Sequence, residues 1–274
     1  MDHGVRRRRD LLRRGFTPYE IKKALRSGAL TTLRDGWYAR TDADPDVARA
    51  VRLGGALSCV SALQKHGLWT PPGYGSLHVR GDKHHRGPHS CRGYGGHFPV
   101  TQALDDIPLA LLCAARCCTR EDWIVLADSA MNKNHWQIDD LRRLLPRVPW
   151  VVEEMLRHCD PGSQSGTETI ARVRLRAAGY KVVVQPPVAA FRGHSDLRIG
   201  NLLIECDSRE FHDGQRDYEY DRYRDRKALV DEWLTIRLTY ANILFDWIDV
   251  LSDIQAITRA DRHRVRKAGF ADRK

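Results

Sequence analysis

Asp196-Leu197-Arg198-Ile199-Gly200-Asn201-Leu202-Leu203-Ile204-Glu205-Cys206-Asp207 reads as two strands, Asp196 to Ile199 and Leu202 to Cys206, with carboxylates at their ends. Alternation along the second strand puts Glu205 and Asp207 on one face and turns the Cys206 side chain away. Upstream, Thr167 to Ala178 is expected to be a helix closed by Gly179, and Tyr180 to Gln185 and Val188 to Phe191 are expected strands. Downstream come a charged helix from Tyr218 to Glu232, a strand from Leu234 to Leu238 and a helix from Ala241 to Ile257. This succession describes a small α/β core rather than a doubly wound nucleotide fold. No glycine-rich phosphate loop follows any strand, which argues against a nucleotide hydrolase.

Further out, the chain has 274 residues and a formal net charge of +10, and the excess is unevenly placed. Residues 1–40 hold 11 basic against 4 acidic residues, 41–160 hold 14 and 14, and 161–274 hold 20 and 17. The turn-rich Asp160-Pro161-Gly162-Ser163-Gln164-Ser165-Gly166 marks a boundary. The expected organisation is a DNA-binding module over 1–45, a mixed α/β region over 46–160 and a third domain over 161–274, an α+β protein overall.

The first 40 residues read as helix, helix, hairpin. Val5 to Arg14 is expected to be a basic helix stopped by Gly15. Thr17-Pro18-Tyr19-Glu20 then gives an N-cap, a proline at the first helical position and a glutamate reaching back. The helix that follows puts Ile21, Ala24 and Leu25 on one face and Lys22, Lys23 and Arg26 largely on another. Asp35-Gly36 turns a hairpin between Leu30 to Leu33 and Trp37 to Ala39. This is the outline of a winged helix-turn-helix, whose second helix would enter a major groove with Arg34 at the wing tip near phosphate. Arg6, Arg7, Arg13, Arg14, Lys22, Lys23, Arg26 and Arg34 are the expected DNA contacts, and the expected partner is double-stranded DNA. The chain could also pair as a homodimer.

In the middle region, Asp46 to His66 carries a helical pattern interrupted by Gly54-Gly55, with Ser58 a new N-cap. Leu77 to Val79 reads as a strand, and Ile107 to Ala115, Trp123 to Ala130 and Asp139 to Leu145 as helices. No apolar run approaches the ~18 residues of a spanning helix, so no membrane partner is expected. Seven cysteines without a framework suggest reduced thiols and a cytoplasmic protein. Cys113, Cys117 and Cys118 are expected to be core cysteines, since their helix is apolar and no Cys/His pair lies nearby in the sequence. His84, His85, His89, Cys91 and His97 lie in a Gly-rich loop with no standard zinc spacing, which favours phosphate contact or plain solvation.

The chemistry gathers near the opening stretch. Phosphodiester hydrolysis uses a divalent cation to activate water and shield the leaving oxyanion, and Mg²⁺ takes hard oxygen ligands. Asp196, Glu205 and Asp207 offer these where strands end, and Glu168 would add an outer-sphere carboxylate from its helix. His212 follows five residues after Asp207, within reach of a water as general base. Asp221, Arg224 and Asp225 share one face of the charged helix as supporting groups.

Ser165-Gly166-Thr167-Glu168, Gln185-Pro186, Asp196, Leu203-Ile204-Glu205-Cys206-Asp207, His212, Asp221-x-x-Arg224-Asp225 and Ile236-Arg237-Leu238 form an ordered set over about residues 163–258. The set resembles the very-short-patch-repair-like (Vsr-like) branch of the restriction-endonuclease superfamily. The resemblance implies a restriction-endonuclease-like core and a DNA endonuclease using Mg²⁺ or Mn²⁺. Carried over by position, Asp196 would be the central metal carboxylate, Glu168 the helix-borne acid, Cys206 a backbone-carbonyl ligand and His212 the base. The wider superfamily has Lys at the position of Asp207, and the repair enzyme has His. A related subgroup pairs Glu with Asp there, leaving Asp207 as ligand or base. The Gly usual after that Asp is Ser208 here.

Leu11-Leu12-Arg13-Arg14-Gly15-Phe16-Thr17, Leu33-Arg34-Asp35-Gly36-Trp37-Tyr38, Leu57-Ser58-Cys59-Val60-Ser61-Ala62 and His66-Gly67-Leu68 resemble the N-terminal region of AbiEi-type antitoxins, over about residues 5–130. That resemblance implies a DNA-binding winged helix. It also implies an alternative function, a transcriptional repressor whose nuclease-like domain is not catalytic. The full set of carboxylates favours the enzyme.

Overall fold

Val5 opens the core in the computed structural model, which describes residues 2–81, 90–146, 148–188, 193–207, 226 and 233–259. It is fully buried in a short strand, β1 (Val5–Arg7), which runs antiparallel to a later strand in the register Val5↔Ala39 and Arg7↔Trp37. The expected helix from Val5 to Arg14 is thereby corrected: only α1 (Arg8–Arg13) is helical. The hairpin behind it needed a third strand, and burial of Val5 outweighs the helical preference of the arginine run.

α2 (Pro18–Arg26) begins as its sequence signals. The Glu20 amide donates to the Thr17 hydroxyl at 3.2 Å, and the Thr17 amide donates back to the Glu20 carboxylate at 2.7 Å. Leu11, Ile21 and Leu30 form a small core beneath it, with Leu25 and Tyr38 packed alongside. β2 (Leu30–Arg34) and β3 (Trp37–Arg40) close the hairpin around Asp35-Gly36, where Gly36 takes φ +69°. The sheet order is β1-β3-β2.

The chain continues through α3 (Pro45–Arg52), β4 (Gly55–Leu57) and α4 (Cys59–Lys65), so the sequence around Gly54-Gly55 is a strand between two helices. β5 (Val79–Gly81) pairs antiparallel with β4, and β6 (Ser90–Cys91) pairs parallel with β5. Glycine is required at Gly55: a Cβ there would stand 2.4 Å from Val79 Cγ1 and 2.6 Å from the Arg80 carbonyl oxygen. α5 (Ile107–Cys117), α6 (Arg120–Asn134), α7 (Ile138–Leu144) and α8 (Trp150–Leu156) follow. Trp123 is fully buried and donates to the Leu111 carbonyl at 2.9 Å, tying α6 to α5. Arg80 and Asp105 make a buried two-bond ion pair at 2.6 and 2.7 Å.

Two compact units divide at Cys159/Asp160, so residues 1–45 and 46–160 fall together up to Cys159. The second unit, Asp160–Lys274, starts with α9 (Gly166–Ala177). Its strands are β7 (Val183–Val184), β8 (Pro187–Val188), β9 (Gly193–His194), β10 (Leu197–Ile199), β11 (Leu202–Cys206) and β12 (Leu234–Leu238). β12, β11, β10 and β7 form one sheet in that order, parallel between β12 and β11 and antiparallel elsewhere. β8 and β9 pair separately. The last expected helix is two, α10 (Tyr240–Leu244) and α11 (Trp247–Arg259). Thr239 caps the first of them, accepting from the Asn242 amide at 3.2 Å. Helices and strands together make an α+β protein.

Candidate carboxylate site

Ser165 accepts the Glu168 amide at 3.1 Å, which starts α9 and places Glu168 in its first turn, 4% exposed. The Glu168 carboxylate accepts from the Gln164 amide at 3.0 Å and from the Gln185 side-chain nitrogen at 2.9 Å. Burial pushes its pKa up to about 7, and the Asp196 charge adds to the shift. Hydrogen bonds from the Gln164 amide, the Gln185 side chain and the Ser165 side chain oppose it without cancelling it.

Asp196 sits immediately before β10. One carboxylate oxygen accepts the Cys206 amide at 2.7 Å, and the other stands 3.5 Å from Gln185 Nε2. Gln185 thus bridges Glu168 and Asp196, and its own amide donates to the Asp196 carbonyl at 2.9 Å. It does so from φ +46°, a conformation a non-glycine residue holds only where its surroundings fix it.

Glu205 is half-buried on β11, in register with Arg237 of β12, and the Asp207 amide donates to the Leu238 carbonyl at 2.9 Å. Cys206, between them, is buried. Its thiol pKa is pushed well up by burial, then by Asp196, Glu168, Glu205 and Asp207 in that order.

The donor set is compatible in chemistry with a hard cation of the Mg²⁺ kind: Asp196 and Glu168 would supply carboxylate oxygens, and the Cys206 carbonyl a third, with water completing the shell. Among the described residues these carboxylates do not form a group of three with all ligand atoms within 4.8 Å. The ion would be shared by two carboxylates and backbone rather than caged. His212, Asp221, Arg224 and Asp225 lie outside the described residues.

In the first unit the basic residues separate into two sets. Arg6, Arg7, Arg13 and Arg14 line an open groove of about 540 Å³ together with Arg9 and Asp10. Lys22, Lys23 and Arg26 are exposed on α2. Arg34 does not reach outward as expected. Its guanidinium donates to the Gly54 carbonyl at 3.1 Å and lies 5.2 Å from the centre of the Trp37 ring. The aromatic face and a carbonyl acceptor draw it back from the turn. Arg7 lies over the same ring at 5.4 Å.

Gln185 is the site residue that residue-by-residue reasoning missed. Its place beside Pro186 was visible, but its bridging role depends on a backbone conformation that the sequence does not advertise. No family model, curated protein or solved structure matches the chain.

Proposed function

We propose that the chain is a DNA-binding endonuclease that hydrolyses phosphodiester bonds with Mg²⁺ or Mn²⁺. The observation that carries this reading is the Glu168–Gln185–Asp196–Cys206 linkage, with Glu205 and Asp207 at the same strand end. Asp196, Glu168 and the Cys206 carbonyl would hold the cation, which activates water and shields the leaving oxygen when bound. Gln185 keeps the two carboxylates at a fixed separation, so little reorganisation is left for the reaction itself. Asp207 serves as a further ligand or as base, and His212 is the other candidate base.

The first unit would hold duplex DNA through Lys22, Lys23 and Arg26 on α2 and through the arginine groove. Helix, helix and three-stranded β1-β3-β2 sheet support the winged helix-turn-helix reading of residues 1–45. The second unit's mixed sheet with α9 against it supports the restriction-endonuclease-like reading. None of the helices in the described residues is long and apolar enough to cross a membrane.

The test is relaxation of supercoiled plasmid by the full chain with Mg²⁺ or Mn²⁺, run alongside EDTA. Nicked or linear product that depends on the cation is expected. Conversion that continues in EDTA, or none in either metal, would overturn the reading.

A further inference from the structure

We propose that the first unit contains a structural zinc site made by Cys59, His78, Cys91 and Cys117. Sequence spacing gave no sign of it, because each ligand comes from a different element. Cys59 is the first residue of α4, His78 immediately precedes β5, Cys91 lies in β6 and Cys117 is the last residue of α5. Cys117 was expected to be a plain core cysteine. It is instead an exposed residue whose sulfur meets a histidine and two cysteines from distant parts of the chain.

The ligand atoms of all four lie within 4.8 Å of one another. Cys91 Sγ is 3.3 Å from His78 Nδ1 and 3.6 Å from Cys117 Sγ. A tetrahedral ion with Zn–S of about 2.3 Å and Zn–N of about 2.0 Å puts its ligand atoms roughly 3.5–3.8 Å apart. The Cys91–Cys117 spacing falls in that range, and the Cys91–His78 spacing lies about 0.2 Å below its lower end. A disulfide would need sulfurs at about 2.05 Å, and every cysteine named here is free.

The backbone gives an independent sign. Cys59 takes φ +52° at the start of α4, in the left-handed region that a cysteine seldom occupies. Strain of this kind persists where surrounding structure demands a particular side-chain direction. The neighbours are fixed as well: the Ser58 amide donates to the His78 carbonyl, and the His78 amide to Ser61 Oγ, both at 3.0 Å.

Three thiolates and one imidazole are a closed, soft ligand set, which suits Zn²⁺ and leaves no position for substrate. Binding through Nδ1 fixes the proton of His78 on Nε2. The three thiol protons pass to solvent as the ion binds, so affinity rises with pH. The ion would tie β4–α4, β5, β6 and the end of α5 together. This inference does not depend on the nuclease reading: the metal is soft-ligated, in the other unit and chemically distinct from Mg²⁺.

The test is metal analysis of the full chain purified without chelating resin, followed by Co²⁺ titration of chelator-treated protein. One equivalent of zinc is expected. The Co²⁺ form should show visible d–d bands and near-ultraviolet sulfur-to-metal charge transfer. Cys117→Ser should lower zinc to background, while Cys159→Ser, a buried cysteine outside the cluster, should keep one equivalent. Should Cys117→Ser fail to fold, the wild-type metal content and Co²⁺ spectrum still decide the matter. Wild type without zinc and without the charge-transfer band would overturn the proposal, as would a Cys91–Cys117 disulfide found by mass spectrometry.

Discussion

At the residue scale, Asp196 has two separable duties. Its carboxylate accepts the Cys206 amide at 2.7 Å, a structural role, and meets Gln185, which also bonds Glu168, where it would serve the proposed cation. Asp196→Asn keeps an acceptor of the same shape, whereas Asp196→Ala leaves the Cys206 N–H without it. The alanine variant should be less stable than the asparagine variant by about 1–3 kcal/mol, the cost of an unsatisfied amide. Equal denaturation midpoints would mean that water replaces the lost acceptor. Glu168 makes a pH prediction. Its folded pKa of about 7 stands above the ordinary 4.5, so the native state keeps a proton that the unfolded chain releases between those values. Stability from this group is full below about 4.5, falls as pH rises toward 7 and is level above. Glu168→Gln removes that loss, so its melting temperature should exceed that of wild type at pH 8 and match it near pH 4. A constant difference across pH would place the carboxylate in solvent. The individual carboxylates were legible because strand alternation and strand ends are written in residue order. Gln185 was not: a residue before proline is ordinarily extended, and its φ of +46° is set by tertiary contacts.

Among the elements, α2 was readable to its end residues because its start rests on local chemistry, Thr17 with Glu20 and Pro18, and its stop on Gly28. β1 was unreadable because Val5 is its one apolar residue, and pairing with β3 supplies what the pattern lacks. The ligands Cys59, His78, Cys91 and Cys117 were opaque for a related reason: four elements meet there, and no local spacing records it. α2 also carries the test of DNA binding. Replacing Lys22, Lys23 and Arg26 together by alanine should weaken duplex affinity and reduce the slope of log affinity against log salt by roughly 2–3, at about 0.9 per lost phosphate contact. Capping box and core face are untouched, so the circular dichroism spectrum should stay the same. An unchanged slope would move the contact to the arginine groove beside α1.

For the whole molecule, charge and chemistry fall in different units. The basic excess is concentrated in residues 1–40, while the carboxylate set belongs to the second unit, where acidic residues nearly balance the arginines. Binding and cleavage should accordingly be separable by mutation, with α2 variants losing affinity and Asp196 variants losing turnover. The two-unit division was legible from the turn-rich stretch at Asp160, because a break in pattern needs no tertiary knowledge. The joining of 46–159 to the first module was not, since it rests on packing between strands and helices far apart in sequence. The most direct measurement is single-turnover cleavage of supercoiled plasmid in Mn²⁺ by wild type and Asp196→Asn, with duplex affinity measured on the same preparations. Equal affinity with cleavage reduced roughly 10²-fold or more is expected, the scale lost when a principal electrostatic group is removed. Equal cleavage by both proteins would contradict the assignment of the site.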